Sequence, residues 1–376
     1  MLIYTVKPGD TLYEIARTYG TDYQQLAYEN MIDPEKTLVV GQTVVIPNAG
    51  DMRKLGNLEV NGYANEYINL DVLNMTLPYL TYVSIFSYEI RADGSLEGIN
   101  DEPIINACHE QGVAPVMVVT NLGESGGFDS ELAHTILGSN ILQQTLRDNI
   151  LSIMEEKGYR GLDLDLEYIF PYDRVAYNNF LEFMRQAMHD NGYFITTAVA
   201  PKIETNQPGL LYEGHDYAFH GKTADHVIIM TYEWGYTYSP PMAVAPLNQV
   251  KKVLDYAVTQ IPPGKIFMGI PNYGYVWNIP FISGTAATAI GNVEAVDIAR
   301  DNNAAIEYDL RAQSPNFNYY LQEQAHEVWF EDANSIYAKL VTAYDYNLGG
   351  VSYWTINRYF PQNWMVLSSL FNIVKI

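Results

Sequence analysis

The alternation of apolar and polar positions in the first 48 residues predicts a small unit of two strands and two helices. Thr11 is suited to cap the first helix, because its hydroxyl can accept a hydrogen bond from a free backbone N–H group of the first turn. Gly20 is suited to end that helix, because glycine readily adopts the left-handed conformation that closes it. The elements are expected at residues 3–6, 11–19, 23–29 and 43–46, in the order strand, helix, helix, strand.

The rest of the chain repeats one pattern, in which a helical stretch ends in glycine and an apolar strand follows at once. Gly112, Gly158 and Gly192 mark three of these junctions. Alternating strands and helices favour a parallel sheet, and eight strands favour an α/β fold of the (β/α)8 TIM-barrel type. A doubly wound open sheet is the alternative. The strands are expected at residues 58–62, 80–86, 113–119, 159–167, 193–199, 227–232, 265–270 and 350–354.

Two stretches interrupt these patterns. Residues 49–57 are small and polar and are interpreted as a linker, so that the chain divides into a module at 1–48, the linker and a second domain at 58–376. Residues 278–330, between the last two strands, are long for a simple connection. They form either a small insertion that walls the cleft of the barrel or a long loop with structure of its own.

The charge of the chain narrows its expected partners. A formal net charge of −23 argues against nucleic acids and anionic membranes, which bind proteins through a surplus of Lys and Arg. It does not prevent binding of a neutral sugar. The N-terminus shows no basic leader before an apolar core, and no apolar run approaches the ~18 residues of a membrane-spanning helix. We therefore expect no signal peptide and synthesis in the cytoplasm.

Residues 161–167 alternate leucine with carboxylate. The period of two places Asp163, Asp165 and Glu167 on one face of a strand and the leucines on the other. In an isolated strand, this pattern is typical of a half-exposed position with the acids in water. In a parallel barrel, helices cover the outer face, so the carboxylates are expected inside.

Three buried carboxylates on one strand indicate general-acid chemistry. Burying like charges is costly, so at least one group should hold a proton near neutral pH, as a general acid requires. Glu167 lies nearest to the C-terminal rim, where barrel enzymes place their active sites. A Mg²⁺ or Ca²⁺ site is the alternative. Because the carboxylates stand roughly 6–7 Å apart along the strand and no His cluster assists them, we expect neither a metal nor another cofactor.

The first 48 residues resemble the LysM module. The likeness rests on residues 4–12 and 41–47, together with Leu26, Asn30 and Leu38. It implies binding of N-acetylglucosamine-containing glycans in a groove between two loops. A capping subdomain that has lost sugar binding is the alternative. The glycan-binding residues implied by the likeness are Gly9, Asp10, Thr11, Leu12, Asn30, Met31 and Ile32.

The second domain resembles the family 18 glycoside hydrolases, the chitinase-like barrels. Residues 163–167 match the end of the DxxDxDxE signature of that family. The supporting matches lie at residues 230–232, 269–274 and 350–354. Three positions depart from the pattern: Arg160 stands for the first Asp, Leu166 for a frequent Trp, and Glu233 for a usual Asp. None of them removes the acid, although the longer arm of Glu233 should alter its contact with substrate.

This resemblance implies a retaining mechanism assisted by the substrate, an exception to the scheme with two enzymic carboxylates. Glu167 would protonate the glycosidic oxygen and later act as a base toward water. The 2-acetamido oxygen of the substrate would attack the anomeric carbon, oriented by Asp165 and Tyr232, while Asp163 supports Asp165 and shares its proton. The other expected substrate contacts are Trp354, under the distorted sugar, and Glu233, Asn121 and Tyr273.

Three functions are compatible with this combination of domains. The expected combination of an N-terminal LysM module and a family 18 barrel, without a secretion signal, resembles one class of enzymes. These are the N-acetylglucosaminidases that endospore-forming bacteria deposit around the spore. That likeness implies that the protein cleaves peptidoglycan, with spore cortex fragments as the substrate during germination. It also implies a location in the spore coat or cortex region. The alternatives are a chitinase or chito-oligosaccharide hydrolase, and a non-catalytic glycan-binding coat protein. A lectin has no need of the acid at Glu167.

Overall fold

The computed structural model describes residues 1–50, 53–123 and 126–376. Among them, no helix has the length and apolar character needed to cross a membrane. The strands are β1 (Leu2–Thr5), β2 (Thr43–Ile46), β3 (Gly56–Asn65), β4 (Tyr82–Ile90), β5 (Leu96–Glu97), β6 (Ala114–Thr120), β7 (Gly161–Asp165), β8 (Phe194–Val199), β9 (His226–Ile229), β10 (Ile266–Pro271), β11 (Gly274–Ile279), β12 (Thr288–Ile290), β13 (Glu307–Asp309), β14 (Ser314–Leu321), β15 (Gln324–Trp329), β16 (Gly350–Trp354) and β17 (Phe371–Ile373).

The α-helices are α1 (Leu12–Tyr19), α2 (Tyr23–Glu29), α3 (Leu70–Thr76), α4 (Glu102–Glu110), α5 (Ser130–Leu137), α6 (Asn140–Lys157), α7 (Arg174–Asp190), α8 (Leu210–Glu213), α9 (Tyr217–Thr223), α10 (Leu247–Gln260), α11 (Asn292–Asp301), α12 (Ala333–Asp345) and α13 (Pro361–Leu370). Short 3₁₀ helices lie at Leu77–Tyr79, Pro171–Asp173 and Pro263–Lys265.

The N-terminal module forms the elements that its pattern predicts. β1 pairs antiparallel with β2, and α1 and α2 pack beside them around an apolar core that includes Ile15 and Leu26. The hydroxyl of Thr11 accepts a hydrogen bond from the backbone N–H of Glu14 (3.2 Å). Gly20 closes α1 with a φ of 68°. Local signals are sufficient here, because caps and helical periodicity act within a few residues of one another.

In the described part of the chain, eight strands close into a parallel barrel. β3, β4, β6, β7, β8, β9, β10 and β16 are neighbours in that order, and β16 pairs back with β3. This closure confirms the predicted (β/α)8 TIM-type fold and excludes the open sheet. β7 ends at Asp165 and β9 at Ile229, which is earlier than predicted. The chain leaves the ladder at these points to form the loops of the C-terminal rim.

The leucines of β7 face outward, as their alternation predicts. Leu162 and Leu164 are buried in the layer between the barrel and its helices, together with Phe180 and Met184 of α7. Asp163, between the two leucines, is buried inside the barrel. A shift of one residue would exchange the two faces, so the apolar layer determines that the acids point inward.

An insertion with its own sheet lies between β10 and α12. Its strands pair antiparallel in the order β12-β11-β15-β14-β13. α11 covers this sheet through a shared apolar core that includes Ala295, Phe317 and Val328. Residues 278–330 therefore belong to a packed subdomain and not to a long loop, which were the two alternatives for this stretch. Its sheet starts slightly earlier than that range, at Gly274.

The N-terminal module packs against both the barrel and the insertion. Toward the barrel, the side-chain amide of Gln362 on α13 donates to the carbonyl of Thr43 (2.7 Å) and to Oδ1 of Asn30 (3.1 Å). Toward the insertion, the backbone N–H of Ile306 donates to the carbonyl of Val40 (2.8 Å). These contacts hold the module on two sides, at positions far from it in sequence.

The join between the module and the barrel is described in part. Of the residues 49–57 predicted as a linker, Asp51 and Met52 lie outside the described residues. Gly56, near the end of that range, already begins β3. The backbone N–H of Leu55 donates to the carbonyl of Leu370 (2.7 Å), so the last part of the join lies along the end of α13.

Gly41 provides a test of the contact between the module and the insertion. Its φ is +89°, and a Cβ added there would lie 1.9 Å from the carbonyl oxygen of Ile306. Gly9 has the same φ, but nothing lies within 4 Å of its added Cβ. An alanine in this left-handed conformation costs about 1–2 kcal/mol at either position. The overlap with Ile306 adds about 1–3 kcal/mol for Gly41→Ala alone.

We therefore expect Gly41→Ala to lower the urea midpoint of unfolding clearly more than Gly9→Ala does. Circular dichroism of both variants beside the wild type measures the difference. Gly9→Ala serves as the control, because it carries the same backbone cost without the overlap. Equal midpoints for the two variants would contradict the docking of the module on the insertion.

Candidate active site

A cleft opens at the C-terminal ends of the barrel strands. Its volume is about 530 Å³, within the range of sites that hold small ligands. Aromatic side chains make up much of its lining. The predicted site residues on its wall are Asp165, Glu167, Tyr232, Glu233 and Trp354. Residues from the ends of three different strands, β7, β9 and β16, thus meet in one cleft, which is where a TIM barrel places its chemistry.

Asp163 is the deepest of the three acids. It is fully buried, and its carboxylate accepts hydrogen bonds from the hydroxyls of Tyr63 (2.6 Å) and Thr196 (2.7 Å). Burial raises the pKa of Asp163 to about 6, while the two hydrogen bonds act to lower it. Asp163 therefore has fixed partners on the barrel wall and does not itself line the cleft.

Asp165 lies between Asp163 and the mouth of the cleft. Its exposed fraction is 4%, and its Oδ1 atom is buried without a hydrogen-bond partner in the described structure. Burial, followed by the charges of Glu167 and Asp163, raises the pKa of Asp165 well above its ordinary range. A buried carboxylate oxygen without a partner is costly, so this atom is available to a group that enters the cleft.

Glu167 stands at the mouth, two residues beyond the end of β7. Its side chain keeps part of its surface in the cleft. The surrounding protein atoms still displace enough water to raise the pKa of Glu167 to about 7. A carboxyl group with this pKa is protonated in a substantial fraction of molecules at neutral pH, which suits a general acid.

Asn121 does not occupy the substrate-facing position that the sequence analysis expects. Its side chain is fully buried. Its amide oxygen accepts from the backbone N–H of Glu167 (3.0 Å), and its amide nitrogen donates to the backbone carbonyl of Glu167 (2.9 Å). Because both groups of the amide bond to the backbone of Glu167, Asn121 fixes the main chain that carries the acid.

Glu233, on the wall of the cleft, and Tyr273 are hydrogen-bond partners of each other. The hydroxyl of Tyr273 donates to Oε1 of Glu233, and Tyr275 of the insertion donates to the same atom (3.2 Å). Although the outer edge of Glu233 is exposed, burial by its neighbours raises its pKa, against the effect of these hydrogen bonds. The longer arm of Glu233 is thus held by two tyrosines, one of them supplied by the insertion.

Trp354 and Tyr232 complete the predicted set. The ring of Trp354 packs edge-to-face with the rings of Tyr63 and Phe86, at centroid distances of 5.3 and 4.9 Å. Burial and the nearby charges of Asp165 and Glu167 raise the pKa of Tyr232 well above its ordinary value. Tyr232 therefore keeps its proton and can donate a hydrogen bond into the cleft.

Several aromatic residues on the cleft wall are not predicted by the sequence analysis. They stand on rim loops or, for Tyr212, on the short helix α8, where no periodic pattern separates them from the many other aromatics of the chain. Their position directly after a barrel strand is the signal that would have found some of them. They include Phe128, Tyr168, Tyr212, Trp234 and Tyr236.

The predicted sugar-binding residues of the N-terminal module divide into two groups. Leu12, Asn30 and Ile32 are buried. The leucine and isoleucine belong to the core of the module, and the Asn30 side chain bonds with both backbone groups of Val45 (2.7 and 2.9 Å). These three side chains are packed or hydrogen-bonded within the module. The members that reach the surface are Gly9, Asp10, Thr11 and Met31.

In the ranges 1–50, 53–123 and 126–376, no group of three His, Cys, Asp or Glu side chains has an arrangement that could hold a metal ion. The lining of the cleft provides the carboxyl groups of Asp165 and Glu167, a tyrosine hydroxyl and aromatic rings. These groups can protonate a leaving oxygen, accept a hydrogen bond from a polar substituent of a sugar and pack under a sugar ring.

Comparison with known sequences shows the family of the chain. The sequence model of "Glycosyl hydrolases family 18" matches residues 118–358, and that of the LysM domain matches residues 4–47. The chain therefore belongs to glycosyl hydrolase family 18 and carries a LysM domain at its N-terminal end. It is a glycoside hydrolase, and its two domains indicate binding of N-acetylglucosamine-containing glycans such as peptidoglycan.

Several relatives match the chain over its whole length. It is 40% identical to a cortical fragment-lytic enzyme of Bacillus subtilis (strain 168), with 100% of this chain and 99% of the relative covered. The crystal structure of the Bacillus cereus spore cortex-lytic enzyme SleL matches with a TM-score of 0.94 at 34% identity, covering 100% and 99% of the two chains. The Bacillus megaterium QM B1551 SleL structure matches with a TM-score of 0.83 at 36% identity, covering 100% and 87%.

The raised pKa of Asp165 gives a prediction for stability. Between the ordinary Asp value of 3.8 and the raised pKa of the folded protein, the unfolded chain ionises at this position while the folded chain keeps its proton. The folded protein therefore binds more protons, and its free energy of unfolding falls as the pH rises. Asp165→Asn removes this effect without changing the size of the side chain. We expect the variant to gain stability relative to the wild type by about 1.4 kcal/mol per pH unit in this window.

Urea unfolding of both proteins between pH 4 and pH 8 measures this gain. The exposed Glu156→Gln on α6 is the control, and its effect should not depend on pH in the same way. A constant difference between Asp165→Asn and the wild type across the range would show that Asp165 is ionised in the folded protein.

Proposed function

We propose that the protein cleaves N-acetylglucosaminyl bonds of peptidoglycan with retention of configuration, and that its substrate is spore cortex fragments. The observation that carries the reaction is the pair Asp165 and Glu167. Among the described residues, one oxygen of the buried Asp165 has no hydrogen-bond partner, and Glu167 at the mouth of the cleft has a pKa of about 7. The substrate is inferred from the full-length relatives that are named for spore cortex lysis. The same relatives support deposition around the spore.

In the first step, protonated Glu167 donates its proton to the glycosidic oxygen as that bond breaks. The 2-acetamido oxygen of the substrate attacks the anomeric carbon and forms a cyclic oxazolinium ion. Asp165 accepts a hydrogen bond from the acetamido N–H through its free Oδ1 atom, and Tyr232 donates to the acetamido oxygen. These two contacts hold the internal nucleophile against the carbon that it attacks, which is the main advantage of an intramolecular step.

In the second step, the Glu167 carboxylate removes a proton from a water molecule, which attacks the anomeric carbon and reopens the ring of the ion. Two displacements at one carbon restore its configuration. Asp163 remains on Tyr63 and Thr196 and shares the charge of Asp165 as the oxazolinium ion forms and disappears. Trp354 packs under the sugar throughout, with its ring fixed by Tyr63 and Phe86.

Replacement of the acid tests the reaction. Glu167→Gln keeps the shape of the side chain but cannot donate a proton, so hydrolysis of a soluble N-acetylglucosamine-containing oligosaccharide should fall by about 10²- to 10⁴-fold. Binding of the same oligosaccharide, measured by calorimetry, should persist. The exposed Glu156→Gln should hydrolyse it at the wild-type rate. A Glu167→Gln variant that retains wild-type hydrolysis would overturn the assignment of the acid.

A panel of substrates tests the glycan. The wild type is incubated in parallel with purified spore cortex fragments, vegetative peptidoglycan and chitin oligomers, and the products are identified by mass spectrometry. We expect cortex fragments to yield products with N-acetylglucosamine at the reducing end. Chitobiose from chitin without products from cortex would indicate a chitinase. Absence of product from all three would indicate a non-catalytic coat protein.

A further inference from the structure

The residues that carry the acid continue β7 without a strand on either side. The last parallel pairs of β7 are Thr120 with Asp165 on the β6 side and Leu164 with Thr197 on the β8 side. Leu166 and Glu167 lie beyond these pairs. A backbone that has left its ladder needs other partners for its N–H and C=O groups, and here side chains from both neighbours supply them.

On the β6 side, the partner is Asn121, the residue that follows β6. Its amide oxygen and nitrogen pair with the N–H and C=O of Glu167 (3.0 and 2.9 Å). The amide thus reproduces the two hydrogen bonds that another strand residue would make. Its nitrogen also donates to the carbonyl of Asp129 (3.0 Å), which fixes the orientation of the amide group.

On the β8 side, the partner is His215, in the loop before α9. Its side chain is buried, with an exposed fraction of 1%. Nδ1 accepts a hydrogen bond from the backbone N–H of Ala200 (3.0 Å), next to the end of β8. Nε2 lies 3.0 Å from the backbone carbonyl of Leu166. The imidazole therefore connects the rim of β8 to the residue just before the acid.

The two backbone partners determine the tautomer of this imidazole. A backbone N–H can only donate and a carbonyl can only accept, so Nδ1 of His215 carries the lone pair and Nε2 carries the proton. Burial lowers the pKa of His215 to about 4. The ring consequently stays neutral, with both bonds intact, at the pH values where Glu167 exchanges its proton.

A set of buried groups holds His215 in turn. The ammonium group of Lys202 donates to the backbone carbonyl of His215 (2.9 Å). The hydroxyl of Tyr217 accepts from the N–H of Lys202 (2.9 Å) and donates to the carbonyl of Ala200 (2.6 Å). The β8 end of the connection is therefore fixed independently of the contact with Leu166.

We propose that His215 and Asn121 are positioning residues that fix the Glu167 carboxyl from the two neighbouring strands. The inference rests on the proposed role of Glu167 as the acid. Neither residue lines the cleft, so neither should contribute to substrate affinity. Loss of either one lets the backbone of residues 166–167 shift, and a displacement of about 1 Å at a catalytic group can cost up to 10²-fold in rate.

Three substitutions of buried histidines separate positioning from general stability. His215→Phe keeps an aromatic ring but removes both hydrogen bonds, so kcat should fall by about 10- to 100-fold with KM changed less than about threefold. His215→Gln can still accept from Ala200 and donate to Leu166 and should restore kcat to within about threefold of the wild type. His220→Phe is the matched control, because His220 is also fully buried, its ring lies 6.0 Å from that of His215, and the hydrogen-bond partner of its Nδ1 is the hydroxyl of Thr197.

Steady-state kinetics on a soluble oligosaccharide that the wild type cleaves measures these constants, with melting temperatures as a check of folding. A wild-type kcat for folded His215→Phe would overturn the proposal, as would equal losses of kcat in His215→Phe and His220→Phe. If His215→Phe does not fold, His215→Gln decides, since a loss above tenfold in this variant contradicts the proposal. Asn121→Ala is an independent test, in which kcat should again fall by about 10- to 100-fold while KM changes less than about threefold.

The experiments distinguish a failure of the proposed function from a failure of the positioning roles. A wild type that cleaves none of the glycans in the substrate panel would overturn the reaction assigned to Glu167. A wild type that cleaves them while His215→Phe and Asn121→Ala keep full kcat would leave the reaction intact and remove only the positioning roles.

Discussion

The desolvation of three carboxyl groups at alternate positions, along β7 and the two residues that follow it, is the constraint on which the active site depends. In the barrel interior, two hydroxyl groups donate to Asp163. One oxygen of Asp165 has no hydrogen-bond partner among the described residues, and Glu167 lies partly in the cleft. These environments raise all three pKa values, for reasons that differ in detail. The free energy that the fold expends in burying these groups is what keeps a proton available in the cleft near neutral pH.

Much of this arrangement follows from local pattern. The leucine–carboxylate alternation of β7 and the glycines at helix ends predict the barrel, the inward acids and the strand that carries them. Both depend on residues close together in sequence, where period and conformational preference act directly. The ends of β7 and β9 are less predictable, because the point at which a strand leaves its sheet depends on its neighbours.

Features that depend on distant residues were not predictable from the sequence. Asn121 is expected to contact substrate, but its amide is used on the backbone of Glu167. His215 gives no sequence signal, since its partners Leu166 and Ala200 come together only when the barrel closes. Likewise, Asn30 belongs to a recognisable sugar-binding pattern, yet it is fixed by Val45 and by Gln362 of the barrel domain. A family pattern identifies such positions without distinguishing a structural role from a binding role.

The docking of the LysM domain on α13 and on the insertion has a consequence for how a polymer is processed. A binding domain on a flexible tether samples many distances from the catalytic centre and raises only the local concentration of substrate. Here the domain is held on two sides, so its surface and the scissile bond keep a constant separation. A strand bound at both places would be cut at a defined number of sugar units from the point of attachment, and the spacing of the cuts would be a property of the fold.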